Sequence, residues 1–350
     1  MAFVSRLVLG PDRKLRMLWR AVIFLVLANW GVPFLLDPAF SLAASRLRWP
    51  GELTAAAVAL NELENFIVAL VCTAIFALYE HRRVDSYGLP VAQALGARTA
   101  EGALAGVVMA GAVAAGMWLL GGMQIRGFAT TGSTLALAAL AWLGANVAVG
   151  VAEELWFRSY LLQSLWGSIG FWPASIVIAL LFAADHYFFK TGENVWDVIT
   201  LVSLSLMMCY SVLRTGTLWF AVGFHISFDY MQLFVIGTPN GARLPQGRLL
   251  DATFNGPAWL TGGALGGACA KRLGQRQAVA VDAPALVERE NRSADERHDE
   301  VLELIQCHVG CGELGGLLQS GRGEPEQGVE QKRHAPVGEH EEDHGPPQHA

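Results

Sequence analysis

The chain has 350 residues, of which 53% are hydrophobic and only 16% charged, and its mean hydropathy is positive. A soluble domain carries about 25% charged residues, so the composition excludes an ordinary soluble enzyme, and with a net charge of −6 no nucleic-acid partner is expected. Five cysteines do not make a disulfide framework: Cys72, Cys209 and Cys269 sit in apolar runs, and only Cys307, His308 and Cys311 cluster, without the second ligand pair of a closed zinc site.

Charge divides the sequence. Residues 1–273 hold 18 Lys and Arg against 15 Asp and Glu, whereas residues 274–350 hold 7 against 16 and six of the nine histidines. The tail has too little apolar content to offset ordering entropy, so 274–350 is expected to be an acidic, disordered cytoplasmic arm without catalytic machinery. Residues 1–273 form the membrane domain.

Runs of roughly 20 apolar residues, the length a spanning helix needs, occur near 17–36, 58–79, 103–121, 134–153, 171–189, 198–213, 217–236 and 257–270. They predict an all-α, polytopic transmembrane helix bundle of about eight spans embedded in the lipid bilayer. Arg13, Lys14, Arg16 and Arg20 cluster at the start of the first run, Arg82 and Arg83 follow the second, and Lys271, Arg272 and Arg276 follow the last. With eight spans these basic flanks share one side, which places both termini in the cytoplasm. Ser41-Leu42-Ala43 offers small residues for cleavage after the first run, but the basic leader and the later spans favour an uncleaved anchor. Gly102, Gly106, Gly111 and Gly116 in the third run, and Gly262, Gly263, Gly266 and Gly267 in the eighth, are expected to let helices approach closely; no strand or lysine accompanies them as a phosphate loop requires.

Ionisable groups inside these runs carry the functional signal, because charge is costly in a bilayer and is usually kept there for a task. Glu153 and Glu154 read as the acidic pair of the hydrophobic stretches, at the close of the fourth span. Glu154 and Arg158 are helical i,i+4 neighbours and can pair, whereas Glu153 is rotated by about 100° and left free to act as a base. The fifth span ends in Phe182-Ala183-Ala184-Asp185-His186. In the seventh, His225 and Asp229 stand four apart on one helical face, where the carboxylate can orient the imidazole or share a ligand with it. Two glutamates, two histidines and one aspartate supply what peptide hydrolysis needs: a base for water, donors for an oxyanion, and optionally a metal.

Glu-Glu-x-x-x-Arg (Glu153, Glu154, Arg158), Phe-x-x-x-His (Phe182, His186) and His-x-x-x-Asn/Asp (His225, Asp229), in this order on successive hydrophobic segments, resemble the three motifs of the type II CAAX prenyl endopeptidase and bacteriocin-processing family of intramembrane proteases, also called the Abi or CPBP family. Gly216-Thr217-Leu218-Trp219 and Val84 to Pro90 are similar to the stretches flanking those motifs, and the resemblance covers about residues 80–236. It implies an intramembrane endopeptidase that cuts a membrane-associated peptide or protein near the cytoplasmic face. The resemblance implies the catalytic set Glu153, Glu154, His186, His225 and Asp229: Glu153 would activate water, Glu154 would assist or be held by Arg158, His186 would support the water or oxyanion, and His225 with Asp229 would line the opposite wall and stabilise the tetrahedral intermediate. The best-understood family members have asparagine at the last position, whose amide can donate to an oxyanion; an ionised aspartate cannot. The resemblance allows a zinc ion held by His186, His225 and Glu153 as well as a metal-free glutamate mechanism. A bacterial cytoplasmic membrane is the expected location. Two other readings compete: a non-catalytic partner-binding or self-immunity membrane protein, and a proton-coupled transporter, which internal repeats would favour.

Overall fold

The computed structural model describes residues 8–10, 14–47, 53–190, 192–241 and 243–262. The expected tail 274–350, with Cys307, His308 and Cys311, lies outside the described residues, as does most of the expected eighth span.

Helix α1 (Met17–Val26) passes through a π-turn (Leu27–Gly31) into α2 (Pro33–Leu47), so the first apolar segment is longer than its hydropathy run. Helix α3 (Ala55–Glu80) is capped at its start by Thr54, whose Oγ1 accepts the Ala57 N–H, and at its end by His81 in the left-handed conformation. It is followed by α4 (Ala97–Leu119), strand β1 (Met123–Phe128), α5 (Ser133–Arg158), α6 (Tyr160–Ile169), α7 (Phe171–Phe189), α8 (Val195–Thr215) and α9 (Trp219–Tyr230). Helix α9 continues as a π-turn (Met231–Ile236), then strand β2 (Leu250–Phe254) and the single turn α10 (Ala258–Thr261).

Seven helical segments of the described residues are long and apolar enough to cross a bilayer. Their side chains satisfy the lipid and their helices satisfy the backbone, the combination that a hydrocarbon core demands. The chain is an integral membrane protein. The described part of the eighth run forms only α10, which stops at Gly262 with φ 78°; the even span count behind the placement of both termini rests on residues beyond it.

Several expectations change in detail. The fourth span does not close at the glutamates: α5 runs to Arg158, breaks at Ser159 (φ −82°, ψ −109°) and resumes as α6, so the Glu-Glu-x-x-x-Arg motif sits just before an interior break. Arg20 is not a free flanking charge but a buried residue of α1, its Nη1 2.9 Å from Glu80 Oε1. Glu80 also accepts the Tyr87 and Tyr160 hydroxyls at 2.7 and 2.9 Å, and Ser159 Oγ donates to the Tyr87 carbonyl. This network ties the break beside the motif to α1, α3 and the turn at Val84–Tyr87. Strands β1 and β2 form a small antiparallel sheet, with Met123 opposite Phe254 and a bulge between Ile125 and Phe128, which hydropathy did not reveal in a helical protein.

Packing follows the small residues, but only some of them. A Cβ at Gly102 would collide with the Phe220 carbonyl, one at Gly106 with Ser227 Oγ and the Phe224 carbonyl, and one at Gly223 with the Thr99 carbonyl. These glycines seat α4 directly on α9, which carries His225 and Asp229. Gly111 and Gly116 face open space and make no such contact; Gly263, Gly266 and Gly267 lie outside the described residues. Helices α3 and α5 run parallel: Ala55 packs with Trp142 and Ala145 near their starts, Val68 shares a core cluster with Phe157, and Phe76 stacks on Tyr160 with ring centroids 4.6 Å apart.

Candidate active site

Each sequence motif places two groups one helical turn apart, and the fold then sets the three helix faces against one another. On α5, Glu154 and Arg158 are both fully buried and pair through Nη1 and Oε1 at 2.6 Å, as i,i+4 spacing allows. The guanidinium also donates from Nη2 to Ser205 Oγ of α8 at 2.8 Å and lies 4.9 Å from the Phe182 ring centroid. The ion pair and the Ser205 contact compensate the two buried charges only in part, since Glu154 Oε2 and Arg158 Nε have no hydrogen-bond partner among the described residues.

On α7, the Phe-x-x-x-His spacing does two things. The His186 Nδ1 lies 3.0 Å from the Phe182 carbonyl oxygen; a carbonyl only accepts, so Nδ1 carries the proton and Nε2 of the neutral ring has a free lone pair. The Phe182 ring stands between the two histidines, with centroids 4.6 Å from His186 and 6.3 Å from His225, and meets Phe157 edge-on at 5.1 Å.

On α9, His225 is where the motifs converge. Its Nδ1 donates to Glu154 Oε1 at 2.9 Å, and its Nε2 lies 3.6 Å from both Glu153 Oε2 and Asp229 Oδ2. The last two distances are too long for hydrogen bonds and leave Nε2 aimed between two carboxylates. Glu153 Oε2 is buried without a hydrogen-bond partner among the described residues. The structure thus gathers Glu153, Glu154, Arg158, His225 and Asp229 directly, and His186 joins them through Phe182 rather than by a hydrogen bond to Glu153 or His225.

Three nearby residues escaped the sequence reading. Ser205 holds the far side of Arg158. Glu62 of α3 is buried, and Glu62 and Lys190, the residue that ends α7, both lie within electrostatic reach of Glu153. The acidic pair Glu153 and Glu154 is therefore not alone in the apolar runs. The signals were an Asn61-Glu62-Leu63-Glu64-Asn65 run inside the second span, and a lysine four residues after His186.

The zinc set His186, His225 and Glu153 is not gathered at ligand spacing: no group of three His, Cys, Asp or Glu side chains among the described residues has the arrangement of a metal site. One ring nitrogen of each histidine is already committed, to the Phe182 carbonyl and to Glu154.

A break-terminated Glu-Glu-x-x-x-Arg, a Phe-x-x-x-His and a His-x-x-x-Asp that meet around one imidazole point to a family. Residues 134–231 match the model of Type II CAAX prenyl endopeptidase Rce1-like proteins. The Rce1-like match spans α5 to the end of α9 and includes every motif residue named above. It bears out the resemblance seen in the sequence and supports a membrane endopeptidase of the CAAX-protease-like class. Comparison with curated proteins and with solved structures returns no match.

Proposed function

We propose that this protein hydrolyses a peptide bond within the membrane, with Glu153 as the base that activates water. The observation that carries the reading is the contrast between two adjacent glutamates. Both glutamates keep a buried Oε2 without a hydrogen-bond partner among the described residues, but Glu154 is committed through Oε1 to Arg158 and His225, whereas Glu153 makes neither bond and faces the free His225 Nε2 at 3.6 Å. A base must keep such a lone pair free.

In this reading Glu153 takes one proton from water as the oxygen attacks the scissile carbonyl. The free lone pair on His186 Nε2 accepts a hydrogen bond from the other water O–H, which stays on the attacking oxygen, and so aims the nucleophile. His225, when protonated on both nitrogens, offers Nε2–H to the oxyanion, while Glu154 fixes the ring through Nδ1 and Asp229 flanks Nε2. Glu153 then returns its proton to the departing amine as the C–N bond breaks, which restores the starting state. Asp229 acts by orienting His225, since its ionised carboxylate has no hydrogen to donate. The substrate is a membrane-associated peptide or protein, cut near the cytoplasmic face of a bacterial cytoplasmic membrane, the side assigned by the basic flanks of the spans. No step is routed through a metal.

The test uses the full chain purified in detergent and an internally quenched reporter peptide, in farnesylated and unmodified forms. Glu153→Ala and His186→Ala each abolish cleavage while leaving the protein folded. Full activity in either variant would sink the mechanism.

A further inference from the structure

Glu62 and Glu80 of α3 and Glu154 of α5 all lie largely between helices, and they are treated differently. Glu80 pairs with Arg20 and Glu154 with Arg158. Glu62 is also buried, with 8% of its surface exposed, yet its hydrogen-bond donors are two neutral amides: Asn61 Nδ2 reaches Oε1 at 3.0 Å and Asn65 Nδ2 reaches Oε2 at 3.2 Å. No cation lies within ion-pair distance of it among the described residues. Both oxygens are held, so the carboxylate is fixed in orientation while its charge is left without a direct counter-ion. A glutamate kept only for helix packing gains nothing from such an arrangement, because a buried polar group is costly between helices, and an amide N–H on each oxygen favours the ionised form.

The parallel course of α3 and α5 says where that charge points. Glu62 lies between the level at which Ala55 clusters with Trp142 and Ala145 and the level at which Phe76 stacks on Tyr160, just past the end of α5, which brings it to the turns of α5 that carry Glu153. Its electrostatic neighbours are Glu153, His225 and Lys190; Glu153 in turn faces His225, Glu62, Lys190 and Asp229.

We propose that Glu62 is a positioning residue of the site, a fixed second carboxylate from a helix outside the three motifs that acts on Glu153 and His225 through its charge. The inference rests on the reading of Glu153 as the base. Proton transfer from water moves charge off Glu153 and onto the reacting oxygen, and a fixed charge close by changes the energy of that step without contacting the substrate. Removing it therefore alters kcat and leaves KM in place.

The experiment measures kcat, KM and the thermal unfolding midpoint of the full chain in detergent, with the same quenched peptide, for Glu62→Gln, Glu62→Asp and Glu153→Gln. Glu62→Gln keeps the size and polarity of the side chain and loses only the charge; kcat falls about ten-fold or more, equivalent to ~1.4 kcal/mol of barrier, with KM and the unfolding midpoint unchanged. Glu62→Asp restores the charge and recovers a substantial part of kcat. The inference is overturned if Glu62→Gln retains wild-type kcat, or if both Glu62 variants lose activity together with a lowered unfolding midpoint, which marks a packing role. Glu153→Gln separates the two levels. If it stays active the base assignment itself fails, whereas an inactive Glu153→Gln beside a wild-type-like Glu62→Gln removes Glu62 alone from the site.

Discussion

Arg158→Met isolates the buried charge that organises the site. The methionine keeps much of the side-chain volume beside Phe182 but deletes the partner of Glu154, and both members of the pair are fully buried. Removing one partner of a buried ion pair costs roughly 3–5 kcal/mol, because the other charge is left without compensation. His225 still donates to Glu154 and limits the loss, while Ser205 Oγ loses the Nη2 donor, which costs about 1 kcal/mol. The sum is near 4 kcal/mol, on the order of a thousand-fold in the folding equilibrium. Urea unfolding in detergent, followed by tryptophan fluorescence, measures it. The companion Glu154→Gln/Arg158→Met removes both charges, so about 2 kcal/mol returns relative to the single variant. If Arg158→Met costs less than about 1 kcal/mol, or if the double variant is no more stable than the single, Glu154 is not held as a buried charge and the account of the site is wrong.

Two further predictions probe the surroundings. Gly102→Ala drives a Cβ into the Phe220 carbonyl and costs about 2 kcal/mol by the same unfolding assay, whereas Gly111→Ala meets open space and is neutral or slightly stabilising; equal effects would remove the glycine contact of α4 with α9. In the loop between α7 and α8, burial and the neighbouring Asp197 push the Glu193 carboxyl up to about 7 from 4.5. The folded state then binds more protons than the unfolded one between these values, so this contribution to stability is complete below about 4.5 and is lost as pH rises through about 7. The unfolding midpoint of the wild type should therefore fall more steeply than that of Glu193→Gln between about pH 5 and 8, and parallel curves would count against the assignment.

What the sequence determined by itself is local and periodic. The span positions follow from apolar runs, and three pairs follow from i,i+4 spacing: Glu154 with Arg158, Phe182 with His186, and His225 with Asp229. Each sits on one helix, where 3.6 residues per turn decides which side chains share a face. Tertiary structure alone decided which faces oppose one another. It set His225 Nδ1 on Glu154 from another helix, placed Ser205 behind Arg158, brought Glu62 of α3 within electrostatic reach of Glu153, and distinguished Gly102 and Gly106 from Gly111 and Gly116. Helical periodicity specifies an orientation about one axis and says nothing about the partner across the gap. In lipid, moreover, an outward and an inward apolar residue look alike in the sequence, so the polar contacts that join the helices become visible only once the helices are packed.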